Sequence, residues 1–137
     1  VILENSSKKV SSSEAHRRVV TRPQFIGRIP RAEMRLEKLL KVIHSHDWKT
    51  GYDIIWEEFQ DMHELFHTSY PPFGYMTQKA REILEFVRAE WKKQGYGPWV
   101  TLDAGPNIHF LFDKDDLKFA QKYMEPFRKE MSLNSWS

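Results

Sequence analysis

The chain has no cysteine, which excludes disulfides, thiolate metal ligands and cysteine nucleophiles and fits a reducing, cytoplasmic setting. It has no surplus of charge either. Its 21 basic and 19 acidic residues leave a net +2, with no basic block suited to nucleic acid and no acidic tail. Lys8-Lys9 and Arg17-Arg18 are short pairs that read as solvated surface. No apolar run approaches the roughly 20 residues that span a bilayer, so neither nucleic acid nor membrane is expected as a partner. An initiator methionine is also lacking. Val1-Ile2-Leu3 reads as the inside of a strand and not as a signal peptide, so the chain is expected to be a piece of a longer one.

What remains is enough for one packed unit. At 137 residues with 40% apolar and 14% aromatic content, the chain can bury one core and is too short for two independent domains. After a serine-rich opening, Ser13-Glu14-Ala15-His16 reads as a helix start and Arg22-Pro23 as its end. From Pro30, Leu36, Leu39, Leu40 and Ile43 recur at i, i+3, i+4 and i+7, the pattern of an amphipathic helix with charges on its other face. Asp47 can cap a following helix whose core stripe is Trp48, Tyr52, Ile55, Phe59, Met62 and Phe66, stopped by Tyr70-Pro71-Pro72. Thr77 can cap another, bearing Ala80, Ile83, Leu84, Val87 and Trp91 and closed by Gly95 and Gly97. Trp99-Val100-Thr101-Leu102 and Ile108-His109-Phe110-Leu111-Phe112 read as two strands. Asp113 is expected to cap a last helix with Leu117, Ala120, Met124 and Phe127, which Pro126 shortens. The fold class expected is α+β, three or four helices packed on a small antiparallel sheet.

Two constellations carry chemistry. Asp103 stands at the end of a buried strand, next to the Gly105-Pro106 turn. A carboxylate there can serve a ligand as a base shielded from water, or it can cap the turn through its own backbone hydrogen bond. His63-Glu64-Leu65-Phe66-His67 matches H-E-x-x-H on a helix, the arrangement in which zinc hydrolases use two histidines as ligands and the glutamate to activate water. No third ligand is evident beyond Glu82 or Glu85. Both histidines also flank the apolar stripe, so packing at its edge is the plainer reading.

Three segments together resemble the second half of the mevalonate diphosphate decarboxylases, a family of the GHMP kinase superfamily. Val10-Ser11-Ser12-Ser13-Glu14-Ala15-His16 is similar to the family's Val-Ser-Ser-Thr/Arg-x-Gly-Met. Met62-His63 followed by Thr68-Ser69-Tyr70-Pro71-Pro72-Phe73-Gly74-Tyr75 is similar to its Phe/Met-His stretch ahead of Pro-Pro-x-x-Tyr. Thr101-Leu102-Asp103-Ala104-Gly105-Pro106-Asn107 is similar to its Phe-Asp-Ala-Gly-Pro-Asn signature.

The resemblance implies that residues 1–137 are a single domain with the ferredoxin-like C-terminal half of the GHMP kinase fold. It implies ATP-dependent decarboxylation of 5-diphosphomevalonate to isopentenyl diphosphate, with the related phosphomevalonate decarboxylases and mevalonate 3-kinases as alternatives. Asp103 would be the catalytic carboxylate. Ser12 and Ser13 would hold the substrate's diphosphate, with His16 and Ala104 beside the substrate. His16 stands where the family often has Met, and Ser13 where some members have Arg. ATP and Mg2+ would be bound mainly by the half of the fold that this chain lacks, since no Gly/Ser-rich phosphate loop occurs here. A homodimer is the assembly the family suggests. Under this reading His63 is an ordinary family histidine and no metal ligand is expected in the chain.

Overall fold

The computed structural model describes residues 10–130; the strand expected at Val1-Ile2-Leu3 lies outside them. Helix α1 (Ser12–Val19) begins earlier than its sequence suggests, because Ser11 is the cap and its hydroxyl accepts from the Glu14 N–H at 3.2 Å. A short 3-10 turn at Pro23–Phe25 leads into α2 (Arg28–Ser45), so Pro30 sits within the first turn, where its missing N–H costs nothing. Helix α3 (Trp48–Thr68) is capped by Asp47, which accepts from the Thr50 N–H at 3.1 Å. Helix α4 (Gln78–Gln94) is capped by Thr77, accepting from the Ala80 N–H at 3.1 Å, and closes on Gly95 in the left-handed region at φ 68°. These three caps fall where the sequence places them.

Strands β1 (Trp99–Leu102) and β2 (Ile108–Leu111) pair antiparallel, with Trp99 opposite Leu111 and Leu102 opposite Ile108. Helix α5 (Leu117–Met124) follows, then a 3-10 stretch from Glu125 as Pro126 approaches. Asp116, not Asp113, occupies the cap position of α5. Asp113 instead folds back on its own loop, accepting from the Asp115 N–H at 3.0 Å.

The larger core lies between α3, α4 and the hairpin. Tyr52 and Phe59 from α3 meet Ile83, Leu84, Val87 and Trp91 from α4 and Val100, Leu102 and Ile108 from the strands. The close approach of α3 to β1 depends on Gly51, whose missing side chain leaves room for the Trp99 ring. Trp99 stacks on Trp48 at 4.0 Å, and its Nε1–H donates to the Trp48 carbonyl at 2.8 Å.

Helix α2 departs from expectation. Its apolar stripe does not face the core: Leu36, Leu40 and Ile43 are about half exposed and only Leu39 packs inward. The face turned to α3 is the charged one. Arg31 reaches Asp61 at 2.9 Å, and Arg35 reaches Asp61 at 2.7 Å and Glu58 at 3.0 Å, while Arg28 also pairs with Glu58. Leu117 of α5 is likewise exposed. No helix among the described residues is long and apolar enough to cross a membrane.

Candidate functional site

Asp103 is the first residue after β1. The strand before it is anchored by Val100 and Leu102 and the strand after the turn by Ile108, each at most 1% exposed. Ala104, Gly105 and Pro106 are buried too. The turn closes through the Gly105 N–H donating to the Asp103 carbonyl at 2.8 Å. Among the described residues no hydrogen bond from this turn reaches the Asp103 carboxylate; its side chain is 66% exposed, with His109 Nε2 at 3.9 Å. A rigid backbone thus carries an outward-facing carboxylate, and the turn is capped by main chain rather than by the Asp103 side chain.

A second, smaller core brings α1 to this turn. Ala15 and Val19 of α1, Leu65 and Phe66 of α3, Tyr75 and Ala104 form one buried cluster, with Val10, Met62 and Phe73 packed against it. Ala104 therefore belongs to the packing that joins the two segments. Ser12 is half-buried, while Ser13 and His16 are exposed. Ser12 and His16, four residues apart, lie on one face of α1, with Ser13 about 100° round the helix from Ser12.

The charges of α1 are paired along its length. Glu14 is engaged by Arg17 at 2.9 Å and Arg18 at 2.8 Å, and the Arg18 bond chiefly holds its carboxyl below the ordinary range. The two guanidinium groups belong to the last turn of α1 and reach back to the single acid of its first turn.

Tyr75 links the two segments and was not singled out by its sequence. Its hydroxyl donates to the Val10 carbonyl at 2.9 Å and lies 3.4 Å from that of Ser11. Burial raises its pKa, with the Asp103 charge adding to the rise and Arg18 opposing it. The Pro-Pro-x-x-Tyr segment was the one signal for it.

His63 is 1% exposed beneath this site, ringed by Phe59, Phe66 and Tyr75 at 5.4 to 6.5 Å, each close to perpendicular. Burial lowers its pKa and keeps the imidazole neutral; the Asp103 backbone and carboxylate and the Leu102 backbone act in the opposite sense. Neither ring nitrogen has a partner in hydrogen-bonding geometry among the described residues.

The zinc reading of the H-E-x-x-H match is overturned by this placement. His63 is sealed in an aromatic cage, whereas His67 is exposed and lies against Gly74. No group of three or more His, Cys, Asp or Glu that could hold a metal ion occurs among the described residues.

Comparison with known proteins gives a consistent result. The mevalonate 5-diphosphate decarboxylase C-terminal domain matches residues 1–135. A diphosphomevalonate decarboxylase of Candida albicans is 24% identical over 115 residues, which are 83% of this chain and 32% of that protein. A mevalonate diphosphate decarboxylase structure from Legionella pneumophila is 40% identical at a TM-score of 0.84, covering 91% of this chain and 40% of its own. The solved complex of MDDEF with MVAPP, AMPPCP and magnesium is 25% identical at a TM-score of 0.78, covering 90% and 38%. The chain thus spans about a third of that curated relative and about two fifths of those solved chains. Helices over a small antiparallel hairpin, the Asp-Ala-Gly-Pro-Asn turn and a family match over nearly the whole length agree: the chain belongs to the mevalonate 5-diphosphate decarboxylase C-terminal domain family.

Proposed function

We propose that this chain is the C-terminal part of an ATP-dependent diphosphomevalonate decarboxylase and supplies that enzyme's catalytic carboxylate, Asp103. The observation that carries the reading is the exposed carboxylate on a buried strand end, packed through Ala104 against the helix that bears Ser12 and Ser13. Support for the substrates comes from the solved relative held with MVAPP, AMPPCP and magnesium. ATP and its magnesium are bound mainly by parts of the enzyme outside this chain.

In this reading Ser12, Ser13 and the first-turn N–H groups of α1 take the diphosphate of the substrate. His16, one turn on, borders the same ligand. Anchoring the diphosphate there brings the tertiary hydroxyl toward the hairpin turn. Asp103 accepts the hydroxyl proton as that oxygen takes up the phosphoryl group which ATP supplies when bound. The carbon–oxygen bond to the new phosphate then breaks, the carbon–carbon bond to the carboxylate breaks with it, and its electron pair becomes the double bond of isopentenyl diphosphate. Carbon dioxide and phosphate leave. Ala104, buried beside Asp103, keeps the wall there small and apolar.

The test is an assay of the full-length protein with MgATP and 5-diphosphomevalonate, following carbon dioxide and phosphate together. Equal release of both, lowered by roughly a thousandfold or more in Asp103→Asn, is expected. ATP consumption without carbon dioxide would move the protein to the 3-kinase branch, and activity confined to the monophosphorylated substrate to the phosphomevalonate decarboxylases. Full activity in Asp103→Asn would remove the carboxylate from the mechanism.

A further inference from the structure

His63 is the group that the proposed chemistry leaves unused. It lies on α3 with Phe59 one turn before it, and the ring is held edge-on by Phe59 at 6.4 Å, Phe66 at 5.4 Å and Tyr75 at 6.5 Å. Those contacts fix the imidazole plane while leaving both nitrogens without a partner in hydrogen-bonding geometry, although the residue is 1% exposed. Two unmatched polar atoms in such a place are costly, since an apolar ring of the same size would fill the cage without them.

The surroundings indicate what the nitrogens address. The aromatic residues around the ring also pack on the strand end: Phe59 shares a core with Leu102, and Phe66 and Tyr75 share one with Ala104, so His63 sits among side chains that hold both neighbours of Asp103. Burial lowers its pKa, and the Leu102 and Asp103 main chain and the Asp103 charge oppose that shift. The Asp103 carbonyl accepts from the Gly105 N–H within the turn, and its outward carboxylate has His109 at 3.9 Å on the solvent side. From the core side, the group at the strand end is His63.

We propose that His63 is a positioning residue for Asp103: the caged imidazole turns an N–H onto the Leu102–Asp103 main chain and so fixes the direction in which the carboxylate is presented. The inference rests on the assignment of Asp103 as the reacting carboxylate. A neutral ring is what the arrangement requires, because a charged one would draw the carboxylate inward, away from the substrate. The titratable groups facing it are His67 on the same helix, Asp103 on the hairpin and Tyr75 on the segment before α4. Displacing a base by a fraction of an ångström to an ångström is worth about 10–100-fold in rate.

The experiment uses the full-length protein, with wild type, His63→Phe, His63→Gln and His67→Ala assayed with MgATP and 5-diphosphomevalonate, and with unfolding midpoints measured in parallel. His63→Phe fills the cage without nitrogens, and His63→Gln restores a donor of similar reach. The expected result is a kcat about 10–100-fold lower in His63→Phe with KM within about threefold, a partial recovery in His63→Gln, and His67→Ala within twofold of wild type. Should His63→Phe not fold, His63→Met is read in its place. Wild-type kcat in both His63 variants overturns the proposal, as does a loss in His63→Phe that His63→Gln does not relieve at all. A wild-type protein that releases no carbon dioxide overturns the decarboxylase assignment and this inference with it; an active wild type with indifferent His63 variants overturns the inference alone.

Discussion

Replacing Gly51 by alanine tests the seam between α3 and β1, and with it the platform on which Asp103 stands. In the interior of a helix that exchange ordinarily stabilises by about 0.5–1 kcal/mol, because glycine loses more backbone freedom on folding. Here a Cβ would stand 2.2 Å from Trp99 Cζ2, 2.8 Å from Cε2 and 3.0 Å from Cη2. Ordinary carbon contacts are about 3.5–4.0 Å, so the overlap exceeds an ångström against the body of a rigid ring. Trp99 cannot swing aside cheaply. It is stacked on Trp48 at 4.0 Å, bonded to the Trp48 carbonyl at 2.8 Å, and 7% exposed. Overpacking of this kind costs about 1–3 kcal/mol, and loss of the indole hydrogen bond adds about 1 kcal/mol. The net expectation is a destabilisation of about 1–3 kcal/mol, opposite in sign to the helix preference. Urea unfolding followed by tryptophan fluorescence, with the slope checked for constancy, measures it. In a Trp99→Leu background the penalty of Gly51→Ala should shrink or reverse. A midpoint unchanged or raised in the single variant would refute the packing argument.

Further expectations follow from the caps and the buried imidazole. Thr77→Ala removes the acceptor at the start of α4 and should cost about 1 kcal/mol in the same unfolding assay, whereas Thr77→Ser should leave the midpoint within error. His63 gives a pH signature: burial lowers its pKa from the ordinary 6.5, so the unfolded chain takes up its proton first as pH falls. Its contribution to stability is therefore complete above about 6.5 and declines below that toward the lowered value. Between about pH 7.5 and 5 the wild type should lose more stability than His63→Phe; parallel loss in both would show that another group governs the acid limb. The effects of Asp103→Asn on catalysis and of His63→Phe on kcat complete the set.

Much of the fold can be read from period and punctuation. The α3 and α4 stripes, the caps at Asp47 and Thr77, the Gly95 closure and the hairpin around Gly105-Pro106 are local signals, and local physics decides them. The orientation of α2 is not local. Leu36, Leu40 and Ile43 say which side of the helix is apolar, but the side that packs is chosen by Arg28, Arg31 and Arg35 meeting Glu58 and Asp61 on another helix. Asp113 and Asp116 compete for one cap, and the loop geometry rather than the residue type separates them.

The same division runs through the site. Asp103 is conspicuous as a carboxylate between two strands and a Gly-Pro turn. Its proximity to α1 depends on Ala15 and Ala104 sharing a core, a long-range event that no spacing reveals. His63 shows the converse, since a metal-like pattern in sequence became a sealed neutral ring once burial was known.

The two sides of α2 answer differently to added salt. Its inner seam is a lattice of guanidinium and carboxylate groups, with Arg28, Arg35 and Asp61 each less than a fifth exposed. Its outer side offers Ile29, Leu36, Leu40 and Ile43 to water. Partly buried pairs are screened much less than exposed ones, so ionic strength loosens the inner seam little, whereas a kosmotropic salt strengthens the tendency of the outer side to leave water. Salt therefore works on this helix mainly through its solvent face.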